Sequence, residues 1–303
     1  YIIICRAAKD LYNRGGEDLV EGLALFDRNW PHIQAAQAWA ASRAEEDKEA
    51  ARLCNDYPDA ASDLLLLRLR PGELVAWFEA GLRAARLLGD RLGEANHLGG
   101  LGLAYRMQGK LDRAEEFCRQ ALDIARDLPD RPNEGAHLNS LGNIYMQRGE
   151  LAEAIGCFRQ ALDIETGDRK ARLVPLGSLG IAYRRLGELG KAARHYTEAL
   201  EIARETGEWQ LEAVTLGNLG DLYVVLGEPG MAINLLNEAL ELERPINDPS
   251  SRAKWLVRLG GIHCEQGDIA DARERWTQAL AILEAAGDPV AESIRLLLSK
   301  LED

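Results

Sequence analysis

The 303-residue chain has few aromatic residues, little positive charge and no long apolar run. Aromatic residues make up 6% of it, and 49 acidic residues outnumber 36 basic ones, which gives a net charge of −13. Because nucleic-acid-binding proteins usually carry a basic surface, this balance argues against a nucleic-acid partner. The longest apolar stretches, such as 64–67, are much shorter than the ~20 residues of a transmembrane helix, so no membrane partner is predicted.

The chain also lacks signatures of catalysis and metal binding. Its five cysteines are odd in number and without CxxC spacing, which predicts free thiols and a cytoplasmic location. GxxxxGK[ST], HExxH and GxSxG motifs are absent, so we predict no catalytic residue, no metal site and no cofactor. His97 and His137 are interpreted as surface or packing residues copied by duplication. The paired acids Glu115 and Glu116 are interpreted as part of a solvated outer face.

The chain is rich in internal repetition. Segments that begin 40, 38, 40 and 40 residues apart read LGLAY, LGNIY, LGIAY, LGDLY and LGGIH, starting at Leu101, Leu141, Leu179, Leu219 and Leu259. A second motif keeps the same phase and starts at Ala121, Ala161, Ala199, Ala239 and Ala279. Two motifs in constant phase predict a repeat architecture.

Each repeat is predicted to form two helices. In the first helix, Leu98, Leu101, Gly102 and Tyr105 fall on one face. A glycine inside a helix costs about 1 kcal/mol relative to alanine, so its recurrence predicts a close helix approach. The expected partner is the small residue that opens the second helix, namely Ala114, Ala154, Ala192, Ala232 or Ala272.

Turn and cap residues mark the ends of these helices. Left-handed glycines are expected to end the first helices, at Gly109, Gly149, Gly187, Gly227 and Gly267. N-caps are expected at Asp90, Asp130, Asp168 and Asp248. The turn within each pair is short, so its helices should run antiparallel.

These motifs resemble the tetratricopeptide repeat (TPR) over roughly residues 91–287. The forty-residue form is similar to the repeats of kinesin light chains and of the sensor arms of bacterial signal-transduction ATPases with numerous domains. The resemblance implies an all-α, right-handed α-solenoid of antiparallel helix pairs that is not an enzyme. His263 replaces the motif Tyr, and Cys118 and Leu236 stand where Phe158, Tyr196 and Trp276 supply an aromatic residue.

The domain boundaries follow from the phase of the motifs. Repeats are predicted at 90–129, 130–167, 168–207, 208–247 and 248–287, after a degenerate repeat at 51–89 whose first helix would occupy 51–70. A capping helix is predicted at 288–303.

Residues 1–50 are predicted to form a helical segment with a different pattern. The sequence from Leu25 to Ala40 resembles the segment that joins the ATPase core to the repeats in bacterial signalling ATPases. Because the chain starts at Tyr1 and not at Met, we expect a fragment whose first segment links to an upstream domain.

A binding groove is predicted on the side of the first helices opposite the motif face. Amides, apolar side chains and arginines on this stripe would suit an extended or helical peptide that carries acidic and apolar residues. The predicted groove residues are Asn96, Leu103, Arg106, Met107, Asn139, Asn143, Met146, Gln147, Val174, Ile181, Arg184, Arg185, Val214, Asp221, Val224, Val225 and Lys254. Gly99, Gly177, Gly217 and Gly261 share this stripe.

Three functions fit this interpretation. The leading hypothesis is a protein- or peptide-binding module that serves as the sensor arm of a larger bacterial signalling protein. The alternatives are a stand-alone scaffold and a regulatory arm of an attached enzyme.

Overall fold

Helices follow one another along the described part of this computed structural model, which comprises residues 1–129, 132–164, 168–243 and 249–301. These residues contain 16 α-helices, one 3-10 turn and no strand, so the all-α prediction is confirmed. The helices are α1 (Ile2–Arg14), α2 (Gly16–Arg43), α3 (Lys48–Ala60), α4 (Ser62–Arg68), α5 (Pro71–Leu88), α6 (Arg91–Met107), α7 (Leu111–Asp127), α8 (Pro132–Arg148), α9 (Leu151–Asp163), α10 (Leu173–Arg185), α11 (Leu189–Thr206), α12 (Trp209–Val225), α13 (Pro229–Glu243), α14 (Pro249–Gln266), α15 (Ile269–Ala286) and α16 (Val290–Ser299).

The five clear repeats each contain a first helix, a glycine turn and a second helix. Their turn glycines adopt positive φ values of 72°, 85°, 78°, 77° and 85°, as predicted for Gly109, Gly149, Gly187, Gly227 and Gly267. L-residues rarely adopt this conformation, so glycine ends the first helix and lets the chain reverse.

The motif glycines allow close approach, but the nearest contact is a larger side chain than the predicted alanine. A Cβ on Gly142 would collide with the Phe158 ring, and a Cβ on Gly220 would lie 3.1 Å from Leu236 Cγ. Cys118 and Trp276 fill the same place against Gly102 and Gly260. The predicted alanines contribute in two repeats, where the carbonyl oxygens of Ala114 and Ala232 lie 3.2 and 3.5 Å from the Cβ positions of Gly102 and Gly220. The nearest contact is nevertheless the larger side chain that the second helix presents one turn further on.

Both N-caps that lie in the described residues agree with the sequence prediction. Asp90 accepts a hydrogen bond from the Gly93 amide at 3.0 Å, as predicted. Asp168 caps the 3-10 turn Arg169–Arg172, whereas α10 begins only at Leu173. The N-cap prediction is therefore confirmed for Asp168, although the turn that it caps is a 3-10 turn leading into α10. Pro175 would lie deep inside an α-helix that started at 169, where it would lack the N–H that an interior hydrogen bond requires. Asp130 and Asp248 lie outside the described residues.

The predicted first helix of the degenerate repeat is interrupted. Residues 51–70 form parts of two helices, because Ala61 leaves the helical conformation at φ −126° and ψ 13°. Pro58 weakens the last turn of α3, since proline has no N–H to donate. The break places Leu64 and Leu65 of α4 in the core, where both are fully buried.

The chain divides into two compact units, Tyr1–Ala182 and Tyr183–Asp303. In the first unit, α1 and α2 share the core of the repeats: Cys5 and Phe26 are fully buried within it. Trp30 of α2 stacks on Trp77 of α5, with ring centroids 5.8 Å apart. The N-terminal helices are thus packed on the degenerate repeat.

In the second unit, α16 covers the last helix pair. Ala291 and Ile294 of this helix join Trp276 and Leu283 of α15 in one buried cluster. The Asp288 carboxylate accepts a hydrogen bond from the Val290 amide at 2.8 Å and so holds the start of α16. This arrangement closes the apolar face of α15, which is the role predicted for a capping helix.

Recurrent ion pairs link second helices to the first helices that follow. Arg86 pairs with Glu94 at 2.9 Å, and Arg204 pairs with Glu212 at 3.0 Å. Arg126 and Glu134 make the same contact at 2.9 Å. The glutamates are only 11–14% exposed, so these pairs lie in partly desolvated seams where charge attraction is stronger than in water.

Glu115 belongs to another such seam and not to a solvated face. Its carboxylate accepts hydrogen bonds from Arg119 at 2.8 Å and from the Tyr145 hydroxyl at 2.9 Å, and it also pairs with Arg148. Burial raises the pKa of Glu115, but these partners outweigh it and leave the pKa below its usual value. The solvated interpretation was therefore wrong for Glu115, while its neighbour Glu116 is exposed.

Candidate binding surface

The predicted groove residues lie on five first helices, and none of them is buried. Those in the first unit are Asn96, Leu103, Arg106 and Met107 on α6, Asn139, Asn143, Met146 and Gln147 on α8, and Val174 and Ile181 on α10. Those in the second unit are Arg184 and Arg185 at the end of α10, Val214, Asp221, Val224 and Val225 on α12, and Lys254 on α14. We define these two sets as groove surface 1 and groove surface 2.

Amide side chains dominate the polar part of groove surface 1. Asn96 donates to the Asp59 carboxylate at 3.0 Å and accepts from the Asn133 amide at 3.1 Å. Its amide is therefore engaged within the protein. Asn143 is half-buried on the next first helix, and Met107 is 44% exposed. The surface thus offers amides and apolar groups with one arginine, Arg106.

Groove surface 2 concentrates positive charge around one carboxylate. Arg258 pairs with Asp221 at 2.9 Å and donates to the Gly217 carbonyl oxygen at 3.3 Å. Arg184 and Lys254 also act on Asp221 through their charges. One carboxylate on this surface is therefore paired with Arg258 and also attracted by the charges of Arg184 and Lys254.

The charges of this cluster are partly withdrawn from water. Burial raises the pKa of Asp221, and Arg258, Arg184 and Lys254 oppose that rise. Burial likewise lowers the pKa of Arg258, against the attraction of Asp221. Partial desolvation strengthens the interactions of these groups with any further charge that approaches.

Arg258 is a groove residue that the sequence analysis missed. It directly precedes the motif residue Leu259, a position that the predicted stripe omitted. Its guanidinium carbon lies 5.1 Å from the centre of the Trp255 ring, and Lys254 Nζ lies 4.7 Å from the same ring. Trp255 thus holds both cations, by cation–π attraction. The signal in the sequence was the arginine itself, a charged residue directly before the motif leucine of the last repeat.

Gly217, expected to face solvent, is buried beneath Trp255. His137 covers Gly99 in the same way, with ring atom Cε1 2.7 Å from where a Cβ would stand. In both cases a first helix inserts a large side chain against a glycine of the preceding first helix. The solvent-facing interpretation was therefore wrong for Gly217, and Gly99 is only partly exposed.

The packing interpretation of the two repeated histidines is confirmed. His97 is fully buried and contacts Asn55 Oδ1 through Nε2 at 2.9 Å. Burial lowers the pKa of His97, and it lowers the pKa of His137 to about 4. Both side chains are therefore neutral core residues at pH 7.

Several apolar side chains on the groove surfaces are exposed to solvent. Val174 is 45% exposed, Val214 is 42% exposed and Val225 is 58% exposed. Exposed apolar groups next to fixed charges are typical of protein-binding surfaces.

A cleft in the second unit lies away from the predicted stripe. It is a cleft of about 960 Å³ between α13, α14 and α15, lined by Leu240, Leu256 and Ile282 together with charged residues such as Arg252 and Arg275. The sequence analysis treated the second helices as a closed outer face and did not predict it.

Comparisons with known proteins agree on the repeat. Sequence profiles of the tetratricopeptide repeat match residues 62–127, 93–166, 133–205, 172–244 and 218–289. A comparison with curated proteins gives no match. Among the described helices, none has both the length and the apolar character that crossing a lipid bilayer demands.

Solved structures share the fold. BtubC (BKLC) from P. vanneervenii is 22% identical, with a TM-score of 0.63 over 72% of this chain and 93% of that one. A Podosopora anserina protein described as a kinesin light chain with nearly identical TPR-like repeats is 21% identical, with a TM-score of 0.54 over 65% and 98% of the two chains. A chain of the APC/C hetero-tetramer Cut9–Hcn1 is 18% identical, with a TM-score of 0.62 over 93% and 48%.

The profile matches extend over most of the chain, from residue 62 to residue 289, and the helix pairs, turn glycines and glycine-packed seams agree with them. Repeats of this kind form protein–protein interaction modules. The chain belongs to the tetratricopeptide repeat family.

Proposed function

We propose that this protein binds a partner peptide, extended or helical, through acidic and apolar side chains that contact its first helices. The observation that carries the proposal is the cluster in groove surface 2, where Arg258 pairs with the Asp221 carboxylate and the charges of Arg184 and Lys254 also act on it. Its positive charge stands out in a protein with a net charge of −13.

An acidic side chain suits this cluster on chemical grounds. Arginine presents paired N–H groups that match a carboxylate, and such charge-assisted contacts are stronger than neutral hydrogen bonds. The remaining acidic surface would repel the same peptide elsewhere and so direct it to the cluster. Groove surface 2 therefore supports selection of an acidic peptide.

Apolar contacts would supply affinity beside the charges. Val214 and Val225 are exposed on α12, the helix that carries Asp221. In groove surface 1, exposed Met107 and Val174 and the amide of Asn143 offer similar contacts and a partner for peptide backbone. Each surface by itself thus has the mixed character that peptide grooves use.

Selection from a random peptide library tests this proposal. Peptides enriched on the intact protein are expected to combine Asp or Glu with Leu, Ile or Val. Enrichment of basic peptides, or of none, would contradict the proposed charge complementarity.

A charge-reversal pair locates the contact. The double variant Arg184→Glu, Arg185→Glu should lower the affinity for a selected peptide by roughly 10- to 100-fold, because two carboxylates would face the acidic groups of the peptide. Arg194→Glu, an equal change per residue at an exposed site on second helix α11, should leave affinity nearly unchanged. Equal losses in the two variants would indicate general charge attraction, and binding unaffected by either would leave the cleft between α13 and α15 as the site.

We further propose that this chain is the sensor arm of a larger cytoplasmic bacterial signalling protein. The support is the resemblance of residues 25–40 to the segment that joins a signalling ATPase to its repeats. Peptide binding would then shift the conformational equilibrium of an attached domain. Mass analysis of the gene product from its native cell tests this: an attached ATPase domain supports the arm, and its absence supports a stand-alone scaffold.

A further inference from the structure

The turn of the last repeat differs from that of the first clear repeat at three positions at once. In the first clear repeat, Lys110 and Arg113 lie over the ring of the motif residue Tyr105, at 5.8 and 5.6 Å. In the third clear repeat, Lys191 lies 5.4 Å from the ring of Tyr183. The last repeat has His263 in place of the tyrosine.

Carboxylates occupy the two cation positions of that turn. Asp268 stands where the first repeat has Lys110, and Asp271 stands where it has Arg113. An aromatic ring with cations has thus been replaced by an imidazole with two acids. These are residue types that bind metal ions.

The three side chains converge on one point. His263 Nδ1 lies 3.8 Å from Asp268 Oδ2 and 3.9 Å from Asp271 Oδ2. All three potential ligand atoms lie within 4.8 Å of one another, and no other such group of His, Cys, Asp or Glu occurs in the described ranges.

The Nδ1 nitrogen of His263 is largely buried without a hydrogen bond from the described residues. The His263 side chain is 12% exposed, and its Nδ1 atom is shielded and has no hydrogen-bond partner among the described residues. The carboxylate oxygens are too distant for normal hydrogen bonds, which measure ~2.7–3.2 Å. Ligand atoms of a tetrahedral zinc ion with bonds of ~2.0–2.2 Å lie roughly 3.3–3.6 Å apart, so small rotations of the exposed Asp268 and Asp271 side chains would bring these atoms to bonding distance.

We propose that His263, Asp268 and Asp271 bind a divalent transition-metal ion of the zinc class at the turn between α14 and α15. One imidazole nitrogen and two carboxylate oxygens suit such an ion, and water would complete its coordination. The ion joins the end of α14 to the first turn of α15 and so stabilises the last helix pair. The predicted absence of metal sites rested on other histidines and did not weigh this constellation across a turn.

The competing explanation is electrostatic. Acids in the first turn of a helix interact favourably with the helix dipole without any ion. Glu150 and Glu153 occupy the equivalent places at the start of α9, beside Tyr145. That turn has two carboxylates and no histidine, so it serves as a matched control.

Calorimetric titration with Zn²⁺ tests the proposal. The titration uses the full chain with Cys264→Ser, because the neighbouring thiol could itself bind zinc. We expect this protein to bind zinc and to melt at a higher temperature when zinc is present. His263→Tyr, which restores the residue of the other repeats, and Asp271→Asn should each weaken binding by roughly tenfold or more.

The control Glu153→Gln should leave zinc affinity unchanged. Asp271→Asn keeps the proposal testable should His263→Tyr perturb folding, which circular dichroism would reveal. Zinc affinity unchanged in both variants would overturn the proposal. So would zinc binding that disappears with Cys264→Ser alone, since the thiol would then be the ligand.

Discussion

The packed side and the groove side of the first helices use the same residue type for different purposes. Gly142, on the packed side, leaves no room for a Cβ because the Phe158 ring fills that space. Gly177, on the groove side of α10, has no neighbouring atom within 4 Å of where its Cβ would lie. A helical glycine therefore indicates close packing only where a large side chain faces it.

The groove side is not uniformly open. Gly99 and Gly217 occupy the groove stripe, yet His137 and Trp255 pack against them. These contacts join consecutive first helices, and at Trp255 they also position Lys254 and Arg258. What distinguishes the glycines is therefore whether a neighbouring side chain fills the space beside each one, and not which side of the helix carries them. Substitutions can measure it.

The largest effect is expected on the packed side. Gly142→Leu should lower the free energy of unfolding by about 3 kcal/mol, because the added side chain must displace Phe158 or force α8 and α9 apart. Denaturant titration measures the change. A loss below that of an ordinary surface substitution would show that the seam is not tightly filled.

The buried histidine His137, which packs between consecutive first helices, should make stability depend on pH. The pKa of His137 is about 4 in the folded protein, against 6.5 for the free side chain. The unfolded chain therefore binds a proton first, so stability is lost as pH falls from 6.5 towards 4. The loss from this residue should reach about 2 kcal/mol at pH 5.

The variant His137→Gln isolates the contribution of His137 to the pH dependence of stability from that of the other titratable groups. Its unfolding free energy should fall less steeply between pH 7 and pH 5 than that of the parent protein. His97, whose pKa burial also lowers, remains in both proteins and contributes equally. Identical slopes would mean that His137 is protonated as readily in the folded protein as in the unfolded chain.

The adjacent residues Glu115 and Glu116 should differ in the same way, by a smaller amount of stability. Glu115→Ala should cost about 1–2 kcal/mol, because it leaves Arg148 and Tyr145 without a shared partner in the seam between α7 and α8. Glu116→Ala, at an exposed position, should stay within about 0.5 kcal/mol of the parent protein. Equal melting temperatures for the two variants would show that the seam carries no electrostatic stabilisation.

The smallest effect should have the opposite sign. Gly177→Ala fills empty space on the groove side and removes the conformational cost of a helical glycine. It should therefore raise the free energy of unfolding by about 0.5–1 kcal/mol. Destabilisation in the same titration would show that α10 is closely approached on that side.

The sequence predicted the elements whose cause is local. Turn glycines such as Gly109 need only a positive φ value, and the cap at Asp90 needs only its own helix start. The residue facing a motif glycine depends instead on how two helices cross, which periodicity does not specify. This is why Ala154 was chosen where Phe158 makes the contact.

The candidate site shows the same limit. Periodicity identified the stripe that carries Asp221 and Arg184, both of which lie at the surface. It omitted Arg258, because a residue at the border between two helix faces is assigned to neither by pattern alone. The cleft between α13, α14 and α15 depends on the spacing of three helices, which no single-helix pattern contains.

The central claim is that an acidic peptide binds the first helices and not the cleft beside the second helices. Methyl NMR of the protein titrated with a selected acidic peptide tests it most directly. The account predicts that the signals of Val214, Val224 and Val225 shift, while those of Leu240 and Ile282 in the cleft stay in place. Shifts confined to Leu240 and Ile282 would contradict it.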